Sequence, residues 1–218
     1  MKLKDKVVYI AGGSGKVGRG IIKVFLDEGA KVITSSRFKE KLDKLREDFE
    51  NLFLIHGNIG DELDAIRIRD EILKSFNRID VVIASIGSWW EGARIIDLDL
   101  KTYENVMFDR LTTHFICAKT FLKYMVERNE GIYVLIGGFH ANVPLKNAGL
   151  ISIAGAGEIM LTKVLSEELK EYKIRINEVL LPTVGKDISA EDVGKFLAYL
   201  CSDEAYMVKG QVISLYGH

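Results

Sequence analysis

The sequence is poor in the residues that would announce several function classes. Among 218 residues only Cys117 and Cys201 are cysteine, far apart and with no CxxC or zinc-type spacing. That excludes a disulfide framework and a cysteine-built metal site, and it points to reduced thiols in a cytoplasmic protein. Neither sign of charge is in excess: 30 basic and 31 acidic residues leave a formal net charge of -1. Nucleic acid and anionic membrane are therefore not expected partners. No apolar run approaches a membrane span in length. The basic tip MKLKDK leads into an apolar run too short for a signal peptide, and glycines end it. Repeats, low-complexity tracts and linkers are missing too, so residues 1–218 read as one domain with one sizeable core.

What is present is an alternation. Short apolar runs at Lys6–Ala11, Lys31–Ser35, Leu52–His56, Asp80–Ser85, Gly131–Ile136, Lys173–Leu180 and Val212–Tyr216 read as seven strands. Amphipathic stretches between them read as helices: 16–28, 39–49, 62–76, a long one at 101–128, another at 151–172, and 190–201. Continuous apolar strands, each followed by a helix, mean a parallel sheet buried on both faces. With right-handed crossovers the result is an α/β Rossmann-type, doubly wound parallel seven-stranded sheet.

The first strand ends in AGGSGKVGRG. Gly13, Gly15 and Gly18 satisfy GxGxxG at a strand-to-helix turn, the context that gives the pattern meaning. Glycines let the backbone approach a pyrophosphate, and the helix N-terminus offers it free N–H groups and a partial positive charge. Gly12, Ser14, Gly15, Lys16, Val17 and Gly18 are the expected contacts. The bland alternative is a glycine turn used for packing. A P-loop is excluded, because Val17 stands where a magnesium-binding Ser or Thr should. The second strand ends in ITSSR, with Ser36 and Arg37 where a carboxylate would hold the ribose hydroxyls of NAD. Loss of that acid removes repulsion of a 2′-phosphate, and an arginine can grip one. NADP(H) is thus expected over NAD(H), with Lys16 as a second cation; the alternative for Arg37 is a solvated residue opening a basic helix.

These motifs resemble the short-chain dehydrogenase/reductase family over nearly the whole chain. AGGSGKVG resembles the family's glycine loop. HGNIGD (56–61) is similar to its adenine-binding segment, with Asn58 and Ile59 at the contact positions. DVVIASIG (80–87) resembles the strand ending in NNAG, and Ser85 and Gly87 fall at its end. IRINEVLLPTV and SDEAYMVKGQVISLYG resemble the two C-terminal segments. The resemblance implies oxidoreductase chemistry between a carbonyl and an alcohol, carried by an Asn, a Ser, a Tyr and a Lys. At those positions this sequence has Arg110, Gly138, Ile151 and Gly155. The Ser-to-Tyr spacing is kept and no other YxxxK exists. Ile151 and Gly155 share a helix face expected to line the cleft, and neither can move a proton.

Arg110, His114 and His140 remain as candidates for chemistry. Arg110 and His114, at i and i+4, could face the cleft, and Arg110 could bind an anion. His140 could donate a proton. Trp89, Trp90 and Glu91 could meet a planar ligand, and Glu158 is the nearest carboxylate on its helix. Each has a structural alternative. Only about seven residues (TVGKDIS) separate Pro182 from the next helix, where the family usually has a longer loop over the substrate. Two readings follow. One is an NADP(H)-binding protein with impaired catalysis, serving as a sensor or binding protein. The other is an NADP-dependent oxidoreductase with a different proton donor or an activated acceptor. Either takes a dinucleotide and an unknown small-molecule ligand. The resemblance adds a dimer or tetramer built on the two long helices, and no metal is expected.

Overall fold

The structure is a computed structural model, and it describes residues 1–217. Seven parallel strands lie in the order β3-β2-β1-β4-β5-β6-β7. They are β1 (Val7–Ala11), β2 (Lys31–Ser36), β3 (Phe53–His56), β4 (Val81–Ala84), β5 (Glu130–Gly138), β6 (Lys173–Leu181) and β7 (Val212–Ser214). The helices are α1 (Lys16–Asp27), α2 (Lys39–Asp48), α3 (Glu62–Phe76), α4 (Leu100–Met107), α5 (Thr113–Arg128), α6 (Gly149–Glu168) and α7 (Ala190–Leu200). The order of strands reverses at β1: the chain runs outward through β2 to β3, then crosses back to β4 on the other side of β1. A crevice opens at such a switch point, beyond the carboxyl ends of the strands.

Alternation within each strand divides the core in two. Val8, Ile10, Val134 and Val179 face α1, α2 and α7. Val7, Tyr9, Val82, Tyr133 and Ile176 face α3 and α5. This is why the strands read as unbroken apolar runs: both faces are covered.

Two features differ from the sequence expectation. The long helix is not continuous, because a π turn at Phe108–Thr112 separates α4 from α5. The Thr113 hydroxyl donates to the Phe108 carbonyl at 2.8 Å, and Arg110 inside the turn swings toward α6. Such π bulges commonly aim a side chain that a regular helix would misplace. The second difference is α6, which at 20 residues and mean hydropathy 1.3 is long and apolar enough to cross a membrane. Here it lies along the sheet, with Ile151, Ala154, Glu158 and Thr162 buried beneath it. Ile153, Met160 and Val164 on its other side are exposed.

Candidate functional site

The glycine loop is held tight by what surrounds it. Gly12 has φ +80°, and a side chain there would strike the Ser85 carbonyl at the end of β4. A side chain at Gly18 would strike the Gly12 carbonyl and the backbone of Gly13. Glycine is the residue for a loop packed this closely in a left-handed conformation. Helices α3, α4 and α7 are capped by the side chains of Asp61, Asp99 and Ser189. Helix α1 begins at Gly15 with no side-chain cap. Its first-turn N–H groups are thus left for an anion, as a pyrophosphate site requires. Ser14, Gly15 and Lys16 stand at its mouth. The Lys16 side chain reaches across and rests on Gly185, in the loop after β6.

At the end of β2, the nearly buried Ser36 hydroxyl accepts from the Phe38 backbone N–H at 3.1 Å. Arg37 is exposed and lies over the Phe38 ring, 4.9 Å from its centroid. No acid pairs with it among the described residues, so its charge is available to a phosphate. Asn58 turns inward: its side-chain oxygen accepts from the Gly60 N–H, and its own N–H donates to Asp64 at 2.6 Å. That carboxylate is held below its usual range, chiefly by the Asn58 N–H and also by Arg67. Asn58 thereby shapes the turn after β3, and neither it nor Ile59 lines the main cleft.

That cleft, of about 810 Å³, lies beyond the strand ends between the glycine loop, the end of β4 and the loop after β6. Of the expected cofactor contacts, Lys16, Val17, Ser85 and Gly87 line it. Trp89, Arg110 and His140 line its inner end. The 183–189 loop is folded into a compact turn. Gly185 N–H donates to the Ile188 carbonyl at 2.7 Å, and Asp187 accepts from the Thr183 N–H at 3.1 Å. Thr183, Val184 and Asp187 of this loop line the cleft.

Of the positions matched to the family's Ser, Tyr and Lys, Gly138 lines this cleft and Ile151 and Gly155 do not. Gly138 is at its edge, but the His140 ring stands where a side chain at 138 would go. A side chain at Gly155 would meet Ala141 at 2.8 Å and His140 Cδ2 at 3.2 Å. Ile151 is fully buried in a small apolar cluster with Val106, Ala148 and Leu150, against which Trp90 packs. The shared face of Ile151 and Gly155 is therefore covered, because residues 139–141 fold back onto it. Trp89 remains 63% exposed and meets His140 edge-to-face, with ring centroids 6.2 Å apart.

Arg110 and His114 also differ from expectation. Arg110 touches the cleft, yet its charge is already paired. Its Nε is 3.2 Å from Glu158 Oε1, its Nη2 donates to Glu158 Oε2 at 3.3 Å, and its Nη1 donates to the Ser88 carbonyl at 3.1 Å. Both partners are buried, so Arg110 is not a free anion receptor. Asp109 accepts from the Ser88 N–H and is not its partner. His114 is wholly buried behind the cleft, and burial lowers its pKa. His140 is lowered to about 4 by burial and by Arg110, so it is a neutral imidazole at physiological pH. Behind Arg110 and His140 lies Glu178 of β6, which is wholly buried. Its carboxyl is raised to about 8, by burial first and then by the charge of Glu158. Glu178 escaped the sequence reading. The signal was a lone glutamate inside the apolar strand RINEVLL. Among the described residues no group of His, Cys, Asp and Glu could hold a metal ion.

Known proteins of this architecture can now be set beside the geometry. A family model described as short chain dehydrogenase matches residues 6–194. A 3-oxoacyl-[acyl-carrier-protein] reductase FabG of Thermotoga maritima is 25% identical, across 100% of this chain and 98% of its own. The NADPH-dependent aldehyde reductase 1, chloroplastic, of Arabidopsis thaliana is 29% identical, across 82% of this chain and 65% of its own. Among solved structures, ElxO with NADP bound has a TM-score of 0.89 at 22% identity, with 96% of each chain covered. A short chain dehydrogenase from Bacillus anthracis has a TM-score of 0.89 at 26% identity, with 96% of this chain and 94% of its own covered. With the family model spanning most of its length, and the glycine loop and strand order in place, the chain belongs to the short chain dehydrogenase family.

Proposed function

We propose that this protein binds NADP(H) and does not carry out carbonyl–alcohol conversion by its family's usual residues. The observation that carries this is His140. Its ring, with Ala141, occupies the space beside Gly138 and Gly155 where a serine hydroxyl and a lysine ammonium would have to reach. With Ile151 buried in an apolar cluster as well, the cleft lacks a tyrosine acid and a cation to hold a nicotinamide ribose. The glycine loop, the uncapped start of α1, Lys16 and the unpaired Arg37 would hold the pyrophosphate and adenosine end. The bound dinucleotide would supply hydride chemistry. The NADP-bound state of ElxO and the NADPH dependence named for the Arabidopsis relative favour the phosphorylated cofactor. Such a protein serves as a sensor or binding protein in the cytoplasm. Calorimetric titration with NADPH, NADH, NADP and 2′-phospho-ADP-ribose tests it. Expected are binding of NADPH well above NADH and near-equal binding of the phosphorylated adenosine fragment. Failure of NADPH to bind would overturn it.

The alternative, an NADP-dependent oxidoreductase with another proton source, is favoured by one observation: a neutral imidazole, His140, lines the cleft in front of buried carboxyl groups. A homo-oligomer is part of the same proposal. Leu111, Phe115, Met160 and Val164 of the π turn, α5 and α6 border an open hollow of about 520 Å³. A second copy would cover it.

A further inference from the structure

Among the described residues, eight buried side-chain nitrogen or oxygen atoms have no hydrogen-bond partner. Seven belong to one group of side chains: Arg110 Nε and Glu158 Oε1, which face each other as an ion pair at 3.2 Å, the ring nitrogens of His114 beside the Ile86 backbone, His140 Nε2 and both oxygens of Glu178. The group is assembled from the π turn, α5, the segment after β5, α6 and β6. Native proteins rarely leave polar atoms in this condition without a role.

Charge counting gives the role. Glu158 and Glu178 are both wholly buried, and one guanidinium, that of Arg110, faces them. Two carboxylates and one cation in a dry pocket leave an uncompensated negative charge, which burial penalises heavily. Neither histidine relieves it as a cation, since burial disfavours charge on both. Among other nearby groups, the Thr162 hydroxyl approaches Glu178 without good hydrogen-bond geometry. Lys163 lies farther along α6, and Asp109 adds negative charge near His114. The neutral solution is a single proton on Glu178, which has no ion pair among the described residues, while Glu158 keeps Arg110.

The group has an outlet. His140 Nε2 is buried and without a hydrogen-bond partner, and its ring stands beside Gly138 and lines the cleft. Gly137 allows the rear approach, since a side chain there would meet Glu178 Oε1 at 2.7 Å. We propose that Glu178, buried beside the Arg110–Glu158 pair, holds one exchangeable proton behind the cleft, and that His140 is the route by which this proton reaches an oxygen atom of a ligand in the cleft. The step balances. The Glu178 carboxyl proton passes to His140 Nε2 through a buried bridging water of the kind such pockets hold. His140 Nδ1 releases its own proton to the ligand oxygen, and the carboxyl pair is left with one more negative charge. Passage of a water proton in the reverse direction restores both the ring tautomer and the acid. The ligand class is a small molecule with an oxygen that gains negative charge, such as a carbonyl or quinone oxygen. The proton site stands on its own geometry; its catalytic use rests on the oxidoreductase alternative given above.

Infrared spectroscopy of the full-length protein, without ligand, reads the proton directly. A protonated-carboxyl band is expected at neutral pH, lost as the pH passes about 8. It should be absent in Glu178→Gln, an isostere of the neutral acid. On transfer to heavy water the band should shift by exchange, and His140→Phe should slow that exchange severalfold. Absence of the band in the folded wild-type protein at neutral pH would overturn the proposal, and that measurement needs no variant. So would its persistence in Glu178→Gln, or an exchange rate indifferent to His140→Phe. A band that behaves as expected in a protein that reduces no carbonyl or quinone with NADPH would leave the proton site standing and remove the oxidoreductase alternative alone.

Discussion

Removing Arg110 strands a buried charge, which makes Arg110→Met the most direct probe of the inner cleft. The guanidinium side chain is 7% exposed and Glu158 is 0% exposed. Methionine fills similar volume without the charge. Breaking a buried pair by deleting one partner typically costs about 3–5 kcal/mol, because the remaining ion loses its compensation. That is a large part of the roughly 5–15 kcal/mol that holds a domain folded. Replacing both partners by apolar groups should restore most of the loss, since the desolvation penalty of each ion then disappears. Urea denaturation at neutral pH of the wild type, Arg110→Met, Glu158→Leu and the double variant measures all the terms. The single variants should lose about 3 kcal/mol or more, and the double variant should fall well short of their sum. The loss in Arg110→Met should shrink on acidification, because the stranded carboxylate can take a proton instead. A cost of under about 1 kcal/mol for Arg110→Met would place the pair with exposed salt bridges and refute the reasoning.

Other outcomes follow from the same geometry. Gly155→Ala would gain about 1 kcal/mol in an open helix; here its methyl meets Ala141 at 2.8 Å, so thermal melting should show a net loss. Glu178 is held near 8 in the fold against an ordinary value of 4.5, so the fold binds the proton more tightly than the unfolded chain does. Its contribution to stability is present in full below pH 4.5 and is lost as the pH rises through about 8. Glu178→Gln should flatten that decline, which is of order 5 kcal/mol at most, and an unchanged pH profile of urea midpoints would count against the burial argument. Arg37→Ala should weaken NADPH by about tenfold or more, from loss of a charge-assisted phosphate contact, and leave NADH nearly unchanged by calorimetry. Met160→Glu should shift the mass measured by light scattering toward the monomer; no change would remove the α5–α6 face as an interface.

How much was legible in the sequence depended on the distance over which each residue acts. The strands and most helix ends were legible to within about two residues because their signal is local periodicity, while α6 ends at Glu168, four residues before its expected end, and the 101–128 helix is broken at the π turn. The glycine loop was legible because only glycine tolerates the left-handed Gly12 and the close approach of Gly18 to the loop backbone. The π turn was not, because it is stabilised by Arg110 reaching a glutamate 48 residues away. Nor was the fate of Ile151 and Gly155: a helical face declares its own composition and says nothing of what folds onto it. His140 and Ala141, ten or more residues earlier in the chain, decided that face.

By itself, then, the sequence determined the doubly wound parallel sheet and the dinucleotide loop. Both follow from short-range patterning and from the conformational freedom of glycine. The tertiary structure alone decided that Arg110 is paired with Glu158 rather than free, that His114 is inaccessible, and that Glu178 is wholly buried. Those are consequences of burial and charge pairing among side chains from separate elements, and no local pattern encodes them.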